Sequence, residues 1–193
     1  MPASSPYFEV IVSELFADGG VLVKNPSLYG GTWAWVLVED KKIVRSGSGL
    51  IYPQDYGLKA ISNNFTELLA CVEGLEAMAK DWRGTLWTDS LVTVKRLRNG
   101  FSESHTVPQD LINRTRNALV RLKWSDIWMT PTKEKKIRIM HLMGHPTKVE
   151  LKSGRSKGGL PVSKWNVLVD KTCGQLARVY LRERGLRDGY AQE

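Results

Sequence analysis

Four carboxylates in this 193-residue chain stand outside its polar, surface-like stretches: Asp18, Glu67, Asp89 and Asp170. Each has an ordinary local use. Asp18-Gly19 is a turn dipeptide. Asn64 with Glu67 three residues on resembles a capping box. Asp89 is placed to cap a helix beginning at Ser90, and Asp170 would be solvated on an amphipathic helix. Together they suggest more. Asp18 and Asp89 are expected to end strands, and in an open sheet ligands gather beyond the carboxyl ends of strands. Glu67, in the first turn of one helix, and Asp170, one turn into another, would reach the same rim. Four carboxylates meeting there would raise one another's pKa by like-charge repulsion. Divalent cations remove that repulsion, and ligation by oxygen alone favours Mg²⁺ or Mn²⁺ over Zn²⁺. Two such ions roughly 3.5–4 Å apart can stabilise both the attacking and the leaving oxygen of a phosphodiester displacement.

These acids need elements to carry them. Alternation at Phe8, Val10 and Val12 predicts a strand over 8–17, closed by Asp18-Gly19-Gly20. A β-branched and aromatic run over 31–38, a polar turn and a return over 43–51 complete an antiparallel meander. The period then changes. Phe65, Leu68, Leu69, Val72, Leu75 and Ala79 recur at helical spacing, giving a helix over 64–82 stopped by Gly84. A short strand over 85–88, helices over 90–99 and 107–122, and a last strand over 137–143 follow. Residues 144–164 read as loop, and 166–184 as a terminal helix with Val169, Cys173, Leu176, Ala177 and Tyr180 inward. The order β-β-β-α-β-α-α-β-α implies an α/β fold, a mixed five-stranded sheet with helices on its faces. Trp33, Trp35 and Trp87 lie in strands and are read as core, and His105 and His141 as surface loop residues.

Length and composition fit one domain over 1–193, whose 42% hydrophobic content suffices for a core without staples. Cys71 and Cys173 stand singly, so they read as buried apolar residues in a reducing compartment, here the cytoplasm. The start of the chain lacks the basic and apolar regions of a secretory signal. No apolar run approaches ~18 residues, so no membrane span is expected. Gly47-Ser48-Gly49 lacks a third glycine and no GxxxxGK[ST] occurs, which argues against a nucleotide or other small-molecule cofactor. The net charge of +8 favours a polyanionic partner. Between Pro131 and Lys164, nine basic residues face only Glu134 and Glu150, so this stretch carries nearly all of the excess. A solvated surface loop is the plain alternative.

The motifs in their order resemble ribonuclease H of type 1. Asp18, Glu67, Asp89 and Asp170 match its Asp-Glu-Asp-Asp set. Around them stand Asn25-Pro26, Gly30-Gly31, Ser62-Asn63-Asn64 before Glu67-Leu68, Thr88-Asp89-Ser90, Gly144-His145, and Asn166 four residues before Asp170. The resemblance spans roughly residues 10–180. It implies a metal-dependent endonuclease cutting the RNA strand of an RNA–DNA hybrid, with the four acids holding two Mg²⁺ ions and Asp18 shared between them. It implies that His145 helps protonate or release the product, a general acid–base role that imidazole can fill. Asn25, Asn63, Asn64 and Asn166 would address the minor groove, where the 2′-OH marks RNA. Ser62 would meet a DNA-strand phosphate, and the enzyme would act as a monomer.

Two departures from the family pattern stand out. The basic, tryptophan-containing handle often found between the two middle helices is replaced by a short, non-basic segment over 100–108. A long basic insertion, around 146–165, separates His145 from the last helix instead. Lys148, Lys152, Arg155 and Lys157 in it would grip nucleic acid in the handle's place, with affinity falling as salt rises. Two alternatives remain: a DNA-directed nuclease of the same fold, such as a junction resolvase, and a non-catalytic nucleic-acid-binding module. Retention of all four acids speaks against the second.

Overall fold

The computed structural model describes residues 13–102, 106–123 and 137–186. The expected strand start at Phe8, Val10 and Val12, the histidine at 105, and Lys133, Lys135 and Lys136 lie outside the described residues. The elements run β1 (Ser13–Val21), β2 (Gly31–Glu39), β3 (Lys42–Ile51), a 3₁₀ turn (Pro53–Tyr56), α1 (Asn63–Ala77), β4 (Gly84–Thr88), α2 (Leu91–Asn99), α3 (Gln109–Arg121), β5 (Ile137–His141), α4 (Lys148–Ser153) and α5 (Lys164–Glu183). The five strands lie in the order β3-β2-β1-β4-β5. β1, β2 and β3 pair antiparallel, whereas β4 runs parallel to β1 and β5 parallel to β4. The mixed sheet read from the sequence is therefore present.

Helices cover both faces, because alternate side chains of β1 point to opposite sides. Leu15 and Ala17 join the core beneath α1, with Leu68, Val72 and Leu75, and with Leu111 and Leu119 of α3. Phe16 packs on the other face with Ala34, Val36, Val169 and Cys173 beneath α5. Trp35 is buried, while Trp33 and Trp87 pack partly buried against the two cores, as their strand positions suggested. Both cysteines are buried and free. Among the described residues no helix is long and apolar enough to cross a membrane.

Several boundaries differ from the expected ones. β1 does not stop before Asp18: it continues through Gly19 and Gly20 to Val21, pairing Asp18 with Ala34 and Gly20 with Thr32. The glycines serve an approach rather than a turn. A Cβ at Gly19 would collide with the Thr66 backbone and come within 2.6 Å of the Glu67 nitrogen, so the first turn of α1 lies directly on the strand. α1 ends at Ala77, five residues early, where Met78 turns extended and Arg121 donates to the carbonyls of Leu75, Glu76 and Met78. β5 ends at His141: the Leu142 amide makes the last bond to β4, at the Thr88 carbonyl, and the Met143 amide turns away to that of Pro161. Residues 144–164 are not a featureless loop, for they contain α4.

Candidate active site

At the carboxyl ends of β1 and β4, beside the first turn of α1, a cleft of about 620 Å³ opens. Asp18, Glu67, Asp89 and Asp170 all line it, together with Asn25, Asn63, Gly144 and His145. The four acids come from β1, α1, the end of β4 and α5, so only the folded sheet brings them together.

Asp18 sits deepest. Its side chain is buried and its Oδ1 accepts the Gly19 N–H at 2.8 Å. Burial holds its carboxyl well above the usual carboxylate range. The nearby Asp89 adds to the rise, as do Asp170 and Glu67, while the Gly19 N–H opposes it. Glu67 is raised too, first by burial and then by Asp89, against hydrogen bonds from Ser90 and Asn63 and the charge of Arg96. Its Oε1 accepts Asn63 Nδ2 at 2.8 Å, so the pair holds the glutamate rather than forming the capping box once possible for Asn64. The Asn63 N–H in turn donates to Asn25 Oδ1 at 3.1 Å.

Asp89 does not cap α2. Ser90 does, its Oγ accepting the Thr93 N–H, which leaves the Asp89 carboxylate free for the cleft. Three neighbours fix that carboxylate or its backbone. Asn166 Nδ2 donates to Oδ2 at 3.4 Å, and His141 Nε2 lies 3.0 Å from the Asp89 carbonyl. Gly144 lies so close that a Cβ there would come within 2.5 Å of Asp89 Oδ2. His141 is thus a partly buried residue at the end of β5, not a surface loop histidine. Asp170 projects from α5, and its Oδ2 is 3.8 Å from Nδ1 of His145, whose side chain is 82% exposed.

The remaining expected residues scatter. Asn166 is 1% exposed and stands behind Asp89, with its Oδ1 unpartnered, rather than at the surface where substrate would meet it. Ser62 is half-buried at the start of α1 and Asn64 is exposed, and neither lines the cleft. Lys148, Lys152, Arg155 and Lys157 are exposed on or just beyond α4. Cys173 and Arg178 line the cleft, although neither was expected there from the sequence. Arg178 stands eight residues past Asp170 on α5, a spacing that repeats on one helical face. Its Nη1 would lie 3.4 Å from a Cβ at Gly174, so that glycine leaves its side chain room to lie back along the helix.

The donors suit hard, oxygen-ligated cations, since every candidate ligand is a carboxylate and two of them are raised by unrelieved burial and repulsion. They ring the cleft openly. Among the described residues, no three His, Cys, Asp or Glu side chains are drawn together into a finished metal-holding group.

No protein-family model and no curated protein matches this chain. Solved structures do. The N-terminal RNase H domain of Rv2228c from Mycobacterium tuberculosis, solved as a maltose-binding-protein fusion, is 13% identical with a TM-score of 0.60, covering 90% of this chain and 99% of that one. LC11-RNase H1, isolated from compost by a metagenomic approach, is 14% identical with a TM-score of 0.57, over 88% of this chain and 98% of that one. The foamy viral protease-reverse transcriptase, solved in complex with RNA/DNA hybrid, is 14% identical with a TM-score of 0.54, over 93% of this chain and 21% of its own.

Proposed function

From the type 1 ribonuclease H fold that this chain shares with those structures, we infer that it is a metal-dependent endonuclease hydrolysing the RNA strand of RNA–DNA hybrids. The observation that carries this reading is the meeting of Asp18, Glu67, Asp89 and Asp170 in one cleft whose lining includes the hydrogen-bonded Asn25 and Asn63. The foamy viral enzyme of the same fold was solved with an RNA/DNA hybrid, which supports the substrate.

The four acids would hold two Mg²⁺ ions, with Mn²⁺ a substitute. When bound, such cations supply Lewis-acid activation of water and stabilisation of the departing 3′ oxygen. The chain's own residues do the rest. Asn63 spends its Nδ2 on Glu67 and Asn25 its Oδ1 on the Asn63 amide. That leaves one amide oxygen to accept and one amide NH₂ to donate. A 2′-OH both donates and accepts, so this pair can separate RNA from DNA. His145, exposed beside Asp170, would pass a proton to the leaving group and let the product go. Arg178 brings a guanidinium to the same cleft, suited to a backbone phosphate. Asn166, His141 and Gly144 position Asp89 rather than touch substrate.

The test is cleavage of labelled hybrid by wild type and Asp89→Asn, with and without Mg²⁺, against duplex DNA and a four-way junction. RNA-strand cutting that needs both the metal and Asp89 is expected. Equal activity from the variant, or preference for the junction, would reject the assignment.

A further inference from the structure

The stretch between His145 and α5 is folded, and its charge is one-sided. Thr147 and Glu150 close a reciprocal cap on α4: Thr147 Oγ1 accepts the Glu150 N–H, and Glu150 Oε2 accepts the Thr147 N–H at 2.9 Å. Glu150 Oε1 accepts the Lys157 N–H at 3.0 Å. Gly154 ends the helix at φ 73°, and the chain doubles back through a bridge between Arg155 and Pro161. The Val162 amide donates to the Gly154 carbonyl, and the Met143 amide to that of Pro161, which fastens the lobe to the end of β5. The lobe's one acid is thus spent on backbone amides. Lys148, Lys152, Arg155 and Lys157 are all exposed, with Lys148 and Lys152 one turn apart on the same helical face.

Its position matters as much as its charge. The lobe begins one residue after His145, which lines the cleft, and ends at Ser163, whose Oγ accepts the Trp165 N–H as the cap of the helix carrying Asp170. One attachment thus adjoins a residue of the cleft, and the other caps the helix that carries one of its acids. We infer that residues 146–163 form a preorganised grip for the phosphate backbone of the duplex substrate, holding it beside the cleft. This rests on the reading of the cleft as a hybrid-cutting site. A folded lobe presents its cations without first ordering a loop, and each phosphate it neutralises releases counterions.

The test uses fluorescence anisotropy with a labelled RNA–DNA hybrid across a salt series, in an Asp89→Asn background that keeps the hybrid intact. Replacing Lys148, Lys152, Arg155 and Lys157 with Gln is expected to weaken binding about tenfold or more at low salt. The slope of log affinity against log salt should shrink by about 0.9 for each phosphate that is no longer neutralised. A control with the same loss of charge, Gln at the exposed Lys41, Lys42, Lys80 and Lys123, removes cations from the end of the sheet and helices away from the cleft. It should shift affinity less than about threefold and leave the slope unchanged. Equal weakening by both sets overturns the grip. Thr147→Val removes the cap hydroxyl but no charge, and a loss of about threefold is expected; unchanged affinity overturns preorganisation. A background protein that binds no hybrid at all overturns the reading of the cleft instead.

Discussion

At the scale of single residues, the site is built around one costly placement, the burial of Asp18 among three other acids. Burial and Asp89 raise its carboxyl, and Glu67 is raised for the same first reason. A group whose folded pKa is raised lends stability that is complete below its unfolded value and is lost as pH rises through the folded one. The metal-free protein is therefore expected to lose Tm as pH climbs from the usual carboxylate range toward neutrality. Asp18→Asn should raise Tm by a few degrees in EDTA at neutral pH, with the gain vanishing in acid, while abolishing cleavage. Thermal unfolding at a series of pH values checks this, and a variant less stable at neutral pH would contradict it. Gly144→Ala tests the other side of the cleft. Its Cβ would press on Asp89 Oδ2, and a misplacement of about 1 Å at a reacting centre can cost on the order of a hundredfold in rate. A fall in kcat with an unchanged Tm is expected. That the four acids would line one cleft was legible in the sequence, from their type and their order on the expected elements. The steric duty of Gly144 and the helical-face relation of Arg178 to Asp170 were not, since both depend on which backbone comes near.

The elements show the same division. Periodicity and composition together pointed to four of the five helices and to the five strands among the described residues, although the alternation at Phe8, Val10 and Val12 lies outside them. They failed at Gly19-Gly20, where glycine serves a tertiary contact rather than a turn. Gly19→Ala should therefore cost about 3 kcal/mol or more in urea unfolding, at the upper end of overpacking effects, because the obstacle is the α1 backbone and not a movable side chain. The early end of α1 likewise depends on a residue 43 positions beyond Met78, the arginine at 121. Removing it with Arg121→Ala strands carbonyls that it now caps, and a loss of about 1.5–3 kcal/mol is expected by the same measurement. α4 was hidden by composition. Its Gly, Lys and Ser neighbours read as loop, although Thr147 and Glu150 already stood at capping-box spacing.

For the whole molecule, the acids at positions 18 and 170 meet only because β1 lies at the centre of the sheet and α5 folds back across it. Cation binding should therefore act on global stability. Mg²⁺ at a hundred times its Kd is expected to stabilise the wild type by about 2.7 kcal/mol, and Asp18→Asn much less. Thermal unfolding with and without the metal gives the difference. An equal rise in both proteins would place the cations elsewhere.

The Met143–Pro161 hydrogen bond sets the two ends of the α4 lobe side by side at the sheet margin. A detachable module has this anatomy: the insert can lengthen, shrink or change its charge while the four carboxylates of the cleft stay seated. Affinity and turnover would then be free to evolve independently, the one tuned in the appendage and the other guarded in the sheet.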